Sequence, residues 1–206
     1  MSDLIRSFIA VAVSPEAAEK LGAAQARLRP VAGDVKWVNP DSFHLTLKFL
    51  GAVERGRLQE TWGSVSEALA GAKRLAMRFR GVGAFPSRTR ARVIWSGVED
   101  GKTELSGLAE RVERACGEHG FERENRPFQA HLTLGRVREP VPNERLAEAI
   151  AELEHEELGE TAVDRVLLMK SELINNRVTC DVPVLMPISF NHVRNREISA
   201  PGRLVF

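Results

Sequence analysis

Hydrophobic positions along the chain follow two periods, and each period predicts a different kind of element. In one class of segment, apolar residues alternate with polar ones or form short β-branched runs between turn residues, which is typical of strands. RTRARVIWSGV at residues 88–98 shows this alternation. Predicted strands cover residues 5–13, 35–38, 43–50, 75–85, 88–98, 130–136 and 162–173.

The second class of segment repeats its apolar residues every three or four positions, which predicts amphipathic helices. Leu58, Trp62 and Val65 show this spacing in a polar background. Ser14 precedes a proline and suits the N-cap of the first helix, and Gly120 suits the end of the third. Predicted helices cover residues 15–28, 58–69, 105–119 and 142–156.

The order of these elements favours an α+β fold built from antiparallel sheets. A tight hairpin near residue 86 and the alternating strands do not suit an all-parallel sheet, whose strands are buried on both faces. A chain of 206 residues has room for one domain of two lobes. We expect that domain to cover residues 1–187, with residues 188–206 as a C-terminal extension or disordered tail.

The amino-acid composition limits how the protein can bind nucleic acid. Apolar residues make up 43% of the chain and charged residues 28%, which is the balance of a globular protein that buries a core. The 29 Lys and Arg residues nearly cancel the 28 Asp and Glu residues. No global positive field is therefore available to hold a nucleic-acid duplex by phosphate neutralisation alone, and any nucleic-acid contact is expected to be local.

Cysteine usage and the N-terminus point to a reduced, cytoplasmic protein. Cys116 and Cys180 are far apart and have neither metal-ligand spacing nor a disulfide framework around them. The apolar run near the N-terminus is too short to cross a bilayer, and no cleavage site follows it. We expect a buried first strand there, no membrane association and no obligate protein partner.

One tetrapeptide, His-Leu-Thr-Leu, occurs twice, at residues 44–47 and 131–134, and uses two of the five histidines. Side chains alternate along a strand, so His44 and Thr46 share one face while the leucines occupy the other. His131 and Thr133 are arranged in the same way. If the two strands meet at a cleft, the site contains two imidazoles and two hydroxyls.

Such a site suits displacement at phosphorus. Imidazole titrates near neutrality, so one histidine can remove a proton from water while the other protonates the departing oxygen. Hydroxyl groups and a nearby arginine can hold the non-bridging phosphate oxygens. A phosphodiester is therefore the expected substrate, and neither a metal nor another cofactor is required.

Other interpretations remain open for single features. One His-x-Thr alone is more often an ordinary strand segment, but two matched copies reverse that preference. The two histidines lack a third metal ligand with suitable spacing, no Gly-x-Ser-x-Gly elbow is present, and the glycines at residues 81 and 83 are too few for a phosphate loop. His119, His155 and His192 are expected to be solvated.

Arginines provide candidate phosphate ligands at two places. Arg88, Arg90 and Arg92 either form a phosphate-contacting patch or decorate a solvated strand edge, and the sequence favours neither. Arg136 follows the second motif closely and is the better candidate. Parity places Arg136 opposite Thr133 on an ideal strand, so a bend at Gly135 would be needed to bring it to the site.

These residues resemble a known family. HLTLKFLG at 44–51 and NRPFQAHLTLGR at 125–136 are similar to the two signatures of the 2H phosphoesterase superfamily, and more closely to the RNA 2′,3′-cyclic phosphodiesterase family, also called 2′-5′ RNA ligase. RSFIAVAVSPE, RTRARVIWSGV and VDRVLLMKSEL are similar too, so the resemblance runs from about residue 5 to residue 173.

The resemblance implies a bilobal α+β fold with a pseudo-two-fold axis and a central cleft. It also implies metal-independent opening of a terminal 2′,3′-cyclic phosphate on RNA, or on a related small nucleotide, to a 2′-phosphate. By position, His44 corresponds to the proton donor and His131 to the proton acceptor. Thr46, Thr133 and Arg136 correspond to phosphate-binding residues.

Three alternatives share the same cleft. The site can run in reverse as a 2′-5′ RNA ligase, act on 2′-5′ oligonucleotides, or bind RNA ends without turnover. The chain also departs from the family pattern after Leu173, where we expect a turn at Asn175 and Asn176 and a closing strand over residues 177–184.

Overall fold

The two predicted periods form two antiparallel sheets and four helices in a computed structural model that describes residues 4–174, 177–179 and 184–190. The helices are α1 (Pro15–Leu28), α2 (Arg55–Ala68), α3 (Lys102–Glu118) and α4 (Glu144–Glu152). The strands are β1 (Leu4–Ala12), β2 (Val35–Trp37), β3 (His44–Glu54), β4 (Leu75–Phe85), β5 (Val93–Val98), β6 (His131–Val137), β7 (Glu157–Val163), β8 (Arg165–Lys170), β9 (Glu172–Ile174), β10 (Arg177–Thr179) and β11 (Val184–Ser189).

Each sheet contains one copy of the repeated motif. The first sheet has the order β11-β8-β1-β3, and its edge strand β3 begins with His44. The second sheet has the order β2-β6-β5-β4-β7, and His131 begins β6. The remaining pair, β9 and β10, forms a small hairpin. All of these described pairings are antiparallel, as the alternating sequence pattern predicts.

Helices flank the sheets in two pairs, and this gives the molecule its two lobes. Helices α2 and α3 pack on each other and against β3 of the first sheet. Helices α1 and α4 pack on each other and against β7 and β4 of the second sheet. Strands β3 and β6 contact each other between the lobes. The expected bilobal, pseudo-two-fold α+β fold with a central cleft is therefore confirmed.

The leucines of the two motifs anchor both strands in the core. Leu45, Leu132 and Leu134 are completely buried, and Leu47 is 5% exposed. Full burial of a leucine side chain stabilises the fold by about 1.5–3 kcal/mol. Because alternate residues point to opposite faces, burying these leucines turns the histidines and threonines of both motifs away from the helices.

Two helix starts form as the sequence predicts. The Ser14 hydroxyl accepts a hydrogen bond from the amide of Ala17, and Pro15 occupies the first helical position of α1. The Asn143 side chain accepts from the amide of Leu146 at the start of α4 and donates to the carbonyl of Val31. These caps satisfy amide groups that have no partner within the helix.

Two predicted strand boundaries were wrong. The strand over residues 43–50 does not stop at Gly51 but continues to Glu54, because Gly51 adopts a positive φ of 74° beside a register shift in the pairing with β1. The arginine-bearing segment at residues 88–92 is a turn, and β5 begins only at Val93.

The predicted element boundaries within residues 142–173 were wrong. Helix α4 ends at Glu152, before the predicted end at residue 156. Residues 157–163 form β7, of which only residues 162 and 163 were predicted as strand. At Asp164 the chain passes from the second sheet to the first, so β7 and β8 belong to different lobes. Gly159 permits β7 to approach α1, since a Cβ there would lie 2.8 Å from the Ala17 Cα.

The C-terminal part agrees only partly with expectation. Residues 177–179 form a strand, but among the described strands it pairs only with β9. The strand that completes the first sheet is β11, which extends past the predicted domain end at residue 187. Phe190 is also buried. Asn175, Asn176, Cys180 and residues 191–206 lie outside the described residues, so the predicted turn and tail stay predictions. In the part of the chain that is described, no helix has the length and apolar character needed to span a membrane.

Candidate active site

The two histidines sit at equivalent places in the two lobes. His44 is the first residue of β3 and His131 is the first residue of β6, and both side chains are half-buried. Thr46 and Thr133 follow on the same faces and are also half-buried. The contact between β3 and β6 joins the two half-sites across the centre of the molecule.

Both imidazoles are held by the same local hydrogen bond. Nδ1 of His44 lies 2.8 Å from the carbonyl oxygen of Ser42, and Nδ1 of His131 lies 2.7 Å from that of Gln129. A carbonyl can only accept, so Nδ1 carries the proton and donates in each case. The Nε2 atom is then the proton-accepting nitrogen of a neutral ring and the free donor of a charged one.

Aromatic rings that sequence reasoning missed surround both histidines. The Phe8 ring lies 4.7 Å from the His44 ring, centroid to centroid. The Phe85 ring meets His131 edge-on at 5.5 Å, and Trp95 lies 6.4 Å from His131. These contacts fix the orientation of the imidazoles and reduce their access to water. The pairing of β5 with β6 places Trp95 on the same face as His131, and sequence alone does not supply that pairing.

The electrostatic environment lowers the pKa of His44. Burial is the largest cause, because it disfavours the charged imidazolium. The hydrogen bond to Ser42 raises the pKa in part, and the positive charge of Arg136 lowers it further. His44 is therefore neutral at pH 7 in the unliganded protein. The effect of Arg136 also means that this residue of the second lobe acts on the histidine of the first.

A β-bulge sets the direction of Arg136. Trp95 pairs with Thr133 but Ile94 pairs with Gly135, so Leu134 is an extra residue in the ladder. The extra residue shifts the alternation, and Arg136, which pairs with Val93, returns to the face of Thr133. Gly135 is needed here because a Cβ would lie 2.7 Å from Val35 and 2.8 Å from Trp37. The bend that was expected at Gly135, from the alternation of side chains, is therefore this bulge.

The other arginine candidates lie in the turn between β4 and β5. Arg88 forms an ion pair with Glu154, while Arg90 and Arg92 occupy the remainder of that turn. The three arginines therefore precede the strand and do not share one of its faces, and the choice between a phosphate-contacting patch and a solvated edge stays open.

The remaining described histidines lie elsewhere. Nε2 of His119 is 2.8 Å from the Ser64 hydroxyl, and His155 is exposed. His192 lies outside the described residues. Within residues 4–174, 177–179 and 184–190, no group of three His, Cys, Asp or Glu side chains could hold a metal ion. Cys116 is buried as a free thiol with its pKa raised to about 12, chiefly by burial, so it is not a nucleophile.

A buried ion pair connects β3 to the loop before the second motif. The Lys48 side chain is 2% exposed, and its Nζ lies 2.8 Å from Glu113 and donates to the carbonyl of Glu122 at 2.6 Å. Glu113 also accepts from the amide of Glu124 at 3.1 Å. Lys48 therefore links the strand that begins with His44 to the loop that leads to His131.

Sequence comparisons find one copy of the repeated motif in each half of the chain. The family model described as LigT like Phosphoesterase matches residues 11–95 and 97–180, and each matched segment contains one His-Leu-Thr-Leu. The chain is 36% identical over 169 residues to the RNA 2′,3′-cyclic phosphodiesterase of Methanothermobacter thermautotrophicus, covering 82% of this chain and 91% of that protein. It is also 36% identical to the protein of that name from Archaeoglobus fulgidus, covering 82% and 92%.

Solved structures share the fold. TT0787 of Thermus thermophilus superimposes with a TM-score of 0.75 at 27% identity, covering 92% of this chain and all of that one. Escherichia coli LigT complexed with 3′-AMP gives a TM-score of 0.72 at 23% identity, again over 92% of this chain and all of that one, and supports the fold alone. From the two motif strands, the matched segments and these relatives together, the chain belongs to the LigT-like phosphoesterase family of the 2H superfamily.

Proposed function

We propose that this protein hydrolyses the 2′,3′-cyclic phosphate at an RNA end to a 2′-phosphate, with His44 and His131 as its acid–base pair. The observation that carries the proposal is the matched presentation of two imidazoles, each fixed through Nδ1 and each leaving Nε2 for proton transfer. The names of the relatives from Methanothermobacter thermautotrophicus and Archaeoglobus fulgidus support the choice of substrate.

In the proposed reaction, water attacks phosphorus and the bond from phosphorus to O3′ breaks. Nε2 of His131 takes the proton from water, and Nε2–H of His44 gives a proton to O3′. The products are a 3′-hydroxyl and a 2′-phosphate, so one water molecule is added in total. Each proton transfer accounts for about a 10²- to 10⁴-fold acceleration.

Thr46, Thr133 and Arg136 are proposed to bind the non-bridging phosphate oxygens. Each lies on the same strand and face as one of the histidines. Hydroxyl and guanidinium donors directed at these oxygens stabilise the negative charge that increases in the transition state. The side chain of Arg136 is exposed and charged, which suits capture of an anion from solvent.

Because the pKa of His44 is lowered, the bound substrate is also expected to help protonate this histidine. A proton donor must be charged when it acts, yet burial and Arg136 keep the unliganded His44 neutral at pH 7. A phosphodiester anion bound beside His44 and Arg136 offsets both causes, because it adds negative charge next to the imidazole. Substrate binding is thus expected to raise the pKa of His44 and to bring in the proton that the reaction consumes at O3′.

RNA is preferred over DNA in this proposal because a 2′,3′-cyclic phosphate needs the ribose 2′ oxygen. The same groups can assist the reverse step, so formation of a 2′-5′ bond is a second activity of the same site. An RNA-end binder without turnover is the alternative of a different class. Binding an RNA end does not require either imidazole to be charged. Hydrolysis requires one charged imidazole and one neutral imidazole.

Phosphorus NMR of a short RNA ending in a 2′,3′-cyclic phosphate tests the proposal. We expect the cyclic phosphate signal to be replaced by that of a 2′-phosphomonoester during incubation with the protein. A 3′-phosphomonoester as the product would assign the opposite bond cleavage. Recovery of the cyclic phosphate unchanged, with the RNA bound, would identify the protein as a binder.

A further inference from the structure

A groove leads away from His131 across the second sheet, and we propose that it binds the nucleotide on the 5′ side of the cyclic-phosphate nucleotide. This inference rests on the proposed function, because it identifies RNA of two or more nucleotides as the preferred substrate. The groove has a volume of about 570 Å³. It is formed by β4, β5, the start of α3 and the loop after α4.

The groove is continuous with the candidate active site. Gly97 pairs with His131 on β6, and Arg80 on β4 pairs with Gly97, so the three residues form a row across the sheet. Neighbouring strands are about 4.8 Å apart, which places the Arg80 backbone roughly 10 Å from that of His131. The middle position of the row is a glycine. The absence of a side chain there leaves room for the Trp95 ring, which lies 6.4 Å from the His131 ring and also lines the groove.

Trp95 provides a surface on which a base can stack. A Cβ added to Gly83 would lie 2.4 Å from the Trp95 ring, and one added to Gly97 would lie 3.4 Å from it. The indole therefore rests directly on the backbone of glycine positions in its own sheet. Trp95 is half-buried and lines the groove, so part of the ring faces the space where a ligand would lie. Stacking on an aromatic ring is available to every base.

The charges of the groove suit a nucleic-acid backbone. Arg80 pairs with Glu99, and Arg88 pairs with Glu154. These pairs balance the two carboxylates that line the groove. Lys102 also lines it and forms no ion pair among the described residues, so the groove has an excess of positive charge. A positively charged path beside an aromatic ring that a base can reach is the usual arrangement for binding single strands without sequence preference.

Turnover of substrates of increasing length tests this proposal. We compare kcat/KM for a 2′,3′-cyclic mononucleotide with kcat/KM for a dinucleotide and a tetranucleotide that end in the same cyclic nucleotide. One stacked base is expected to raise kcat/KM about 5- to 150-fold from the mononucleotide to the dinucleotide. Equal values for the three substrates would overturn the proposal while leaving the proposed function intact.

Two variants assign the length dependence to the groove. Trp95→Leu is expected to reduce the ratio of dinucleotide to mononucleotide kcat/KM towards one. Lys102→Ala is expected to reduce the dependence of the dinucleotide reaction on salt, by about 0.7 in log–log slope for one lost phosphate contact. Lys73→Ala is the matched control, since Lys73 is exposed and does not line the groove. A length preference that survives in both groove variants would contradict the assignment.

A binding measurement separates this inference from the proposed function. Fluorescence anisotropy of a 5′-labelled tetranucleotide ending in a 2′-phosphate requires no turnover. Weaker binding by Trp95→Leu and Lys102→Ala supports the groove even if the wild-type protein cleaves no cyclic phosphate. Unchanged binding in both variants overturns it, whatever the catalytic result.

Discussion

At the residue scale, the account depends on two imidazoles that differ in surroundings but share one hydrogen-bond arrangement. Both Nδ1 atoms donate to the carbonyl two residues earlier in the chain. Phe8 packs against His44, whereas Phe85 meets His131 edge-on. Two imidazoles that are held in the same way but lie in different environments can take different protonation states, as an acid and a base acting in one step require.

Substrates with an activated leaving group distinguish the two roles. p-Nitrophenolate leaves without protonation, so a nucleoside 2′-(p-nitrophenyl phosphate) diester does not need a proton donor. We expect His44→Ala to lose about 10²- to 10⁴-fold in kcat on a cyclic phosphate but far less on this ester. His131→Ala is expected to lose activity on both substrates. The opposite pattern would exchange the roles of donor and acceptor.

The pH dependence of the reaction reports the environment of His44. Its pKa in the free protein lies below the ordinary value of about 6.5, and a donor loses its proton as pH rises through its pKa. kcat/KM, which reports the free protein, is therefore expected to fall on the alkaline side from below pH 6.5. kcat should persist to higher pH, because bound phosphate is proposed to raise the pKa of His44.

Arg136→Gln provides the control for that profile. Removing the positive charge removes one cause of the lowered His44 pKa, so the alkaline limb of kcat/KM is expected to move to higher pH. Its amplitude should also fall, because a phosphate ligand is lost. An alkaline limb that stays in place would show that Arg136 does not act on the titrating group.

At the element scale, β3 carries His44 at its start and Lys48 on its opposite face. The buried pair of Lys48 and Glu113 holds the loop that leads into β6. The position of His131 therefore depends on a contact made by β3, the strand that begins with His44. The pair is nearly withdrawn from water, with side-chain exposures of 2% and 16%.

Lys48→Met tests the importance of this pair for stability. The substitution leaves Glu113 largely buried and without its charge partner, so it should reduce the free energy of unfolding by about 3 kcal/mol. The matched control is Lys48→Met combined with Glu113→Gln, which removes both charges and should restore most of the loss. Urea denaturation measures both variants. A single variant within about 0.5 kcal/mol of wild type would contradict a structural role for the pair.

Sequence periodicity predicted most elements but not their division between sheets. Leu146, Ile150 and Leu153 keep helical spacing up to the end of α4, and the acidic residues that follow suit a helix equally well. Only the pairing of β7 with β4, a contact between distant parts of the chain, decides that residues 157–163 are a strand. Bulges such as the one at Leu134 likewise arise from pairing with a neighbour.

The faces of the motif side chains were more predictable than the contacts around them. Alternation alone placed the histidines and threonines of the two motifs on polar faces, because the leucines between them had to be buried. The contacts of Phe8, Phe85 and Lys48 depend on which strands become neighbours. A single sequence does not contain that information, since any buried aromatic or paired lysine has the same local pattern.

At the scale of the whole molecule, each lobe supplies half of the candidate site. The first strand of the chain joins the first sheet, and the helix that follows packs on the second, so the lobes are interwoven and not sequential. β8 and β11 return to the first sheet from the end of the described chain. A site at the contact between β3 and β6 therefore exists only when both lobes are folded.

Metal independence is a property that this site predicts for the intact protein. In the proposed reaction the two histidines supply both proton transfers, and no cluster of metal ligands occurs in the described ranges. We expect hydrolysis of a cyclic-phosphate RNA to be unchanged after dialysis against EDTA. Loss of activity that is restored by adding Mg²⁺ or Zn²⁺ would identify a metal-dependent reaction instead.

The most direct test of joint action at one phosphorus is a double-mutant cycle on kcat for a cyclic-phosphate RNA. His44→Ala and His131→Ala are each expected to reduce kcat by about 10²- to 10⁴-fold. Because both groups act in one transition state, the double variant should lose little more than the worse single variant. Either single variant retaining wild-type kcat would contradict the account, as would losses that multiply in the double variant.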